Sequence, residues 1–192
     1  MKSLRLYIGF LLFVSLLLSS CGSSDVSLLN DVKRFEPEWV DLSEQVTGMD
    51  QALSRTERAY EAFFKWASPQ LNNPERNQRT GLYSARSQYT NIMEERDAIA
   101  SEFASQKKAF VDAVENFNLW QNQLMKGDLE ELTAGNDFEA YQLKYQKLET
   151  EISKLSARLN SNVEDSNALV RRVCSAFNSI RCDEYVVDVS ML

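Results

Sequence analysis

The sequence predicts an all-α fold: an elongated antiparallel three-helix bundle with coiled-coil packing, followed by an extended C-terminal tail. Three observations lead there. Apolar residues recur at heptad spacing over three long tracts. The 192 residues include only 6 Gly and 3 Pro, too few for the many turns of an all-β architecture. With 44% hydrophobic and 26% charged residues the chain can bury a core, and its length fits one domain.

The first tract steps by fours and threes through Phe35, Trp39, Leu42, Val46, Met49, Leu53, Thr56, Tyr60, Phe63 and Ala67. It predicts a helix over 31–67. Pro37 falls near its start, where a helix tolerates proline, and Ser68-Pro69 ends it. Residues 68–81 carry two prolines and no period, and read as a loop. The second tract runs from Leu82 to Leu124 and predicts a helix over 82–126, with Gly127 as its C-terminal glycine cap. Asn136-x-x-Glu139 has the form of a capping box and opens a third helix over 136–180. Its seam steps by four twice, at Leu155, Leu159 and Val163, a stutter that locally unwinds a supercoil. The polar stretch 160–167 coincides with it and predicts a continuous but irregular helix. Short connections make neighbouring helices antiparallel. The shape is similar to that of a spectrin-type repeat, a likeness of shape only.

Several function classes are excluded or disfavoured. The chain has no histidine, which removes Ser-His-Asp and Cys-His catalysis and His-ligated metals. Its net charge is −7 without a basic block, so no nucleic-acid partner is expected. Glu94, Glu95, Asp97, Glu130 and Glu131 are the densest acids and read as solvated helix faces; no metal and no cofactor are expected. Arg96 and Gln106 sit at seam positions, where arginine most often extends its head past the seam. Ten Phe, 7 Tyr and 3 Trp exceed a simple two-stranded seam. A three-helix core uses a wider apolar stripe and accounts for most of them. Phe64 and Trp66, at the end of the first helix, are the aromatic candidates for a partner-binding patch.

The first residues are an address. Met1 to Arg5 form a positive n-region, and Leu6–Leu18 is an apolar run of the length of a secretory h-region. It is shorter than the ~20 residues of a membrane span. Leu18-Ser19-Ser20-Cys21 follows. This resembles the lipobox of bacterial lipoproteins, in which the cysteine is lipidated and becomes the mature N-terminus. The resemblance covers residues 1–21 only and implies export as a signal peptide (1–20), palmitate-type acylation at Cys21, a lipidated linker over 21–30 and attachment to the membrane through that lipid. Gly22, rather than an aspartate, points to the outer membrane, and Ser24-Asp25 is similar to surface-export signals; periplasmic face and cell surface both stay open. Removing Lys2 and Arg5 leaves 19 basic against 28 acidic side chains, a body that anionic headgroups repel.

Cys174 and Cys182 remain as an even pair in an oxidising compartment and predict a disulfide. Eight residues of continuous helix span ~12 Å, whereas a bridge needs Cα atoms ~5.5 Å apart. The pairing therefore requires the helix to stop near Asn178–Ile180 and the chain to fold back. In the tail, 183–192, Tyr185, Val187 and Val189 alternate as in a strand. Two readings stand: the tail adds to a sheet edge of a partner, or it packs on the bundle as irregular coil with Val186 and Met191 filling gaps. The functional expectation is a non-enzymatic, lipid-anchored envelope protein that scaffolds or docks another envelope protein. The alternative is a periplasmic chaperone or carrier that holds clients along helical arms, which requires an exposed apolar groove.

Overall fold

The computed structural model describes residues 26–73, 75, 81–178 and 182–188. Cys21, Val189 and Met191 lie outside them. Three helices pack against one another: α1 (Val26–Leu71), α2 (Ala85–Lys126) and α3 (Glu131–Ala176). A 3-10 turn, Cys182–Glu184, opens the described tail. No strand occurs among the described residues, and none of their helices is long and apolar enough to cross a membrane. The three-helix bundle expected from the heptads is the fold.

The helix ends differ from expectation, each for a packing reason. α1 begins five residues early, with Leu28 and Leu29 half-buried, so Pro37 is interior rather than near the start. α1 also continues through Ser68-Pro69, because Leu71 is buried and draws the last turn onto the core. α3 likewise starts at Glu131, ahead of the expected capping box. Ala134 is fully buried, so the turn containing it belongs to the core, and Asn136 is a helix-interior residue. Gly127 closes α2 as its position implies. It has φ 74°, its amide donates to the Leu124 carbonyl at 3.1 Å, and the Asp128 amide donates to that of Gln123 at 3.1 Å. α3 is unbroken through 160–167 and ends at Ala176, four residues before the expected end. Asn178, at φ 49°, turns the chain out of the helix.

The chain divides into two compact units. The first comprises the described residues up to Val46 with Gln106–Glu151. Its core is aromatic. Trp39 is fully buried and has Phe35, Phe110, Phe117 and Tyr145 around it at ring-centroid distances of 5.5 to 6.1 Å. Trp120 stacks on Phe138 at 6.0 Å, with 8° between planes. Tyr141 donates its hydroxyl to the Asn116 carbonyl at 3.0 Å, tying α3 to the antiparallel α2. The second unit comprises Thr47–Ser105 with the described residues from Ile152 on. Here the inward face of α3 is wider, as the stutter implies, and carries Asn162, Ser166 and Asn167 into the core beside Leu159, Val163 and Val170.

Candidate docking site

The second unit holds the polar and tail features, and it is built from the core outward. Tyr60, on α1, is fully buried. Its hydroxyl donates to Asn162 Oδ1 at 2.9 Å, and Asn162 Nδ2 donates to the Ile92 carbonyl at 2.8 Å. Tyr89, on α2, donates to the Tyr60 carbonyl at 3.2 Å. One asparagine thus links all three helices. Burial pushes the Tyr60 hydroxyl up to about 12, with neighbouring Ser166 opposing; burial, then Glu61, does the same for Tyr89. Both phenols stay neutral donors at any ordinary pH.

Arg96 lies next to this layer. It is buried rather than extended past the seam: 8% of the residue is exposed. Its guanidinium meets Asp97 at 2.7 Å and Glu57 at 3.1 Å, both on the solvent side, while its Nε has no partner. Of the acids noted in the sequence, Asp97 and Glu95 are engaged in ion pairs on the surface. Arg158 reaches Glu95 at 2.9 Å and Glu102 at 2.7 Å, and those carboxylates raise its pKa further. Two open depressions between α2 and α3, of about 470 and 230 Å3, are lined by such groups: Arg172 and Asp165 in one, Arg158 and Glu95 in the other. Among the described residues no cluster of three metal-ligating side chains occurs.

The tail lies on the bundle. Tyr185 is buried, stacked on Trp66 (centroids 5.7 Å, planes 25° apart) and edge-on to Phe63 at 5.9 Å. Two residues on, Val187 is also buried. Its main chain is held from both sides by one side chain. Asn167 Nδ2 donates to the Val187 carbonyl at 2.8 Å, and the Val187 amide donates to Asn167 Oδ1 at 2.9 Å. Asp183, Glu184 and Asp188 face solvent. Of the two readings of the tail, its described part follows the packed coil, with Tyr185 and Val187 filling the gap rather than Val186, which is only half-buried. The edge that Val187 would offer to a partner strand is taken, because the Asn167 amide engages both of its main-chain polar groups.

The expected Cys174–Cys182 bridge is absent: both are free thiols. The chain does fold back as the pairing requires, and the two side chains hydrogen-bond each other. Burial, then the hydrogen bond to Cys182, pushes the Cys174 thiol up to about 12, which holds it protonated and unreactive. Of the two aromatic candidates, Phe64 is 38% exposed and stacks on Tyr89 at 4.7 Å, while Trp66 is half-buried under Tyr185. The structure therefore brings Trp66, Tyr185 and Val187 into one site and leaves Phe64 beside it on the tyrosine layer. Asn167, the residue that grips the tail, was missed. Its only signal was a polar side chain in the stutter.

No protein-family model matches the chain, and no curated protein or solved structure matches it either.

Proposed function

We propose that this chain is a lipid-anchored envelope protein that docks another envelope protein and performs no catalysis itself. The observation that carries the reading is the tail site: a backbone grip beside an aromatic slot is recognition chemistry, not reaction chemistry. The buried interior supports it, since aromatic and aliphatic side chains fill the helix interfaces where a substrate would sit. The anchor rests on the lipobox resemblance at Leu18–Cys21.

In-cell crosslinking of the full-length protein, followed by mass spectrometry, tests the docking reading. One dominant envelope protein crosslinked near Lys65 or the tail is the expected result; self-crosslinks alone overturn it. A broad set of exported proteins would instead support the carrier reading. Large exposed apolar side chains are few among the described residues (Phe64, Tyr83, Leu119, Leu132 and Leu143) and are scattered, which weighs against a client-clamping groove. Mass spectrometry of the N-terminal fragment tests acylation of Cys21 separately.

A further inference from the structure

Cys174, Asn167 and Asn160 stand two turns apart on α3, so their side chains share one stripe of the helix. The tail follows that stripe. Cys182 meets Cys174 through the thiol hydrogen bond, and five residues later Asn167 holds the amide and carbonyl of Val187. The tail therefore runs antiparallel to α3, toward Asn160. Asn160 is half-buried, and its Oδ1 is shut off from solvent with no hydrogen-bond partner. A buried acceptor without a donor is costly, whereas Asn167, one step above, has both amide atoms engaged.

Length and parity select the missing donor. Two turns of helix rise ~10.5 Å and an extended chain covers ~3.3 Å per residue, so Asn160 lies about three residues beyond Val187. In an extended chain the main-chain polar groups of alternate residues point to the same side. Those of residues 189 and 191 therefore turn toward α3, as those of Val187 do. At ~13 Å along the tail residue 191 comes nearer to the level of Asn160 than residue 189, at ~7 Å. Burial alternates in step: Tyr185 and Val187 are buried, Val186 is half-buried and Asp188 is exposed. Val189 and Met191 are the next two apolar positions of the series. Across the groove, the Tyr60–Asn162 bond sets the level of α1. Ala59, two turns below Trp66 on the same face, puts only a small side chain on that wall, where Trp66 stacks on Tyr185 higher up.

We propose that the α1–α3 groove at Asn160 is the seat of the chain's own residues 189–191, with the Met191 amide donating to Asn160 Oδ1. The tail is then held at three points, Cys174, Asn167 and Asn160, and forms a fourth segment of the second unit along α3. Its alternating face is used on its own bundle and is not an arm offered to a partner strand. A docked protein is neither needed nor excluded, and would meet the bundle with the tail in place.

The test is residue-resolved hydrogen–deuterium exchange by NMR on the full-length chain, in mild detergent and under reducing conditions. The Met191 amide should exchange at least about tenfold more slowly than in an unstructured peptide, alongside that of Val187. Asn160→Leu should return Met191 to the unstructured rate and leave Val187 protected. Asn160→Asp keeps an acceptor oxygen and should retain most of the protection. From the tail's side, Met191→Pro removes the donor. The side-chain amide resonances of Asn160 should then shift while those of Asn167 hold, which reads the bond even where a substitution on α3 unfolds the helix. An unprotected Met191 in the wild-type chain overturns the proposal. So does protection that survives Asn160→Leu, or an Asn160 resonance that Met191→Pro leaves in place. Protection that grows with protein concentration overturns it in favour of a second copy's tail. None of these readouts involves a partner, so this inference and the docking reading fail separately.

Discussion

The two units solve the same packing problem with different materials. In the first, rings interlock around Trp39 and Trp120, and both indole N–H groups are buried without a partner. Dispersion and area burial carry that core, and it accepts two unpaired donors in return for close ring packing. In the second, Tyr60, Tyr89, Asn162 and Asn167 are buried with their polar atoms joined across elements. Such a network specifies register, because a shift by one turn of any helix breaks several bonds at once. The first core supplies bulk stability; the second fixes alignment and holds the tail.

That contrast is broken most directly by emptying the aromatic centre. Trp39→Ala should lower unfolding free energy by about 3–5 kcal/mol, as large-to-small core changes do. Urea denaturation followed by circular dichroism measures it, and a loss under about 1 kcal/mol would contradict the interlocked core. Asn162→Leu should cost somewhat less, about 1–3 kcal/mol, because it removes the amide donor to the Ile92 carbonyl and leaves the Tyr60 hydroxyl only the main-chain carbonyl of residue 162, at 3.2 Å. Pairing it with Tyr60→Phe should recover part of that loss; a strictly additive double variant would show that the two do not form one network.

The tyrosines give the contrast a pH dependence. An unfolded tyrosine loses its proton near 10, whereas Tyr60 and Tyr89 hold theirs to about 12. Above pH 10 the unfolded chain therefore binds fewer protons than the folded one, and stability falls as pH rises from 10 toward 12. Tyr145, in the first unit, is also raised to about 12, by burial and then Glu149, and adds to the same fall. Thermal melts at pH 9, 10, 11 and 12 should show the decline, and Tyr60→Phe with Tyr89→Phe should flatten it. The smallest effect is expected at Arg96. Its carboxylate partners are half-exposed and water can take over their solvation. Arg96→Met should thus stay within about 1 kcal/mol of wild type, since an apolar isostere escapes the desolvation of a buried charge. A loss of 3 kcal/mol or more would place Arg96 inside the network rather than beside it.

The helices were legible because heptad spacing is a property of the chain alone, and the seam residues from Phe35 to Val173 are buried at nearly every expected position. Helix ends were less so. Gly135-Asn136 reads as a break, yet Ala134 packs so deeply that α3 starts ahead of it. The site was legible in fragments. The cysteine spacing implied a fold-back, which Asn178 provides, and the tail showed its alternation. What joins them was invisible, because Asn162 and Asn167 take their partners 70 and 20 residues away. A polar residue in a seam announces that something must satisfy it; only the packed chain says what.

Pro37 stands eleven residues inside α1. It has no N–H to give the carbonyl of Lys33, and both residues face solvent. The turns before it remain helical because Val32 and Phe35 are buried on the inner side. The outer side of α1 is therefore the more compliant there. A bend of α1 is taken up on the outer side at Lys33–Pro37, where one backbone bond is missing, while Val32 and Phe35 hold the inner side to the core.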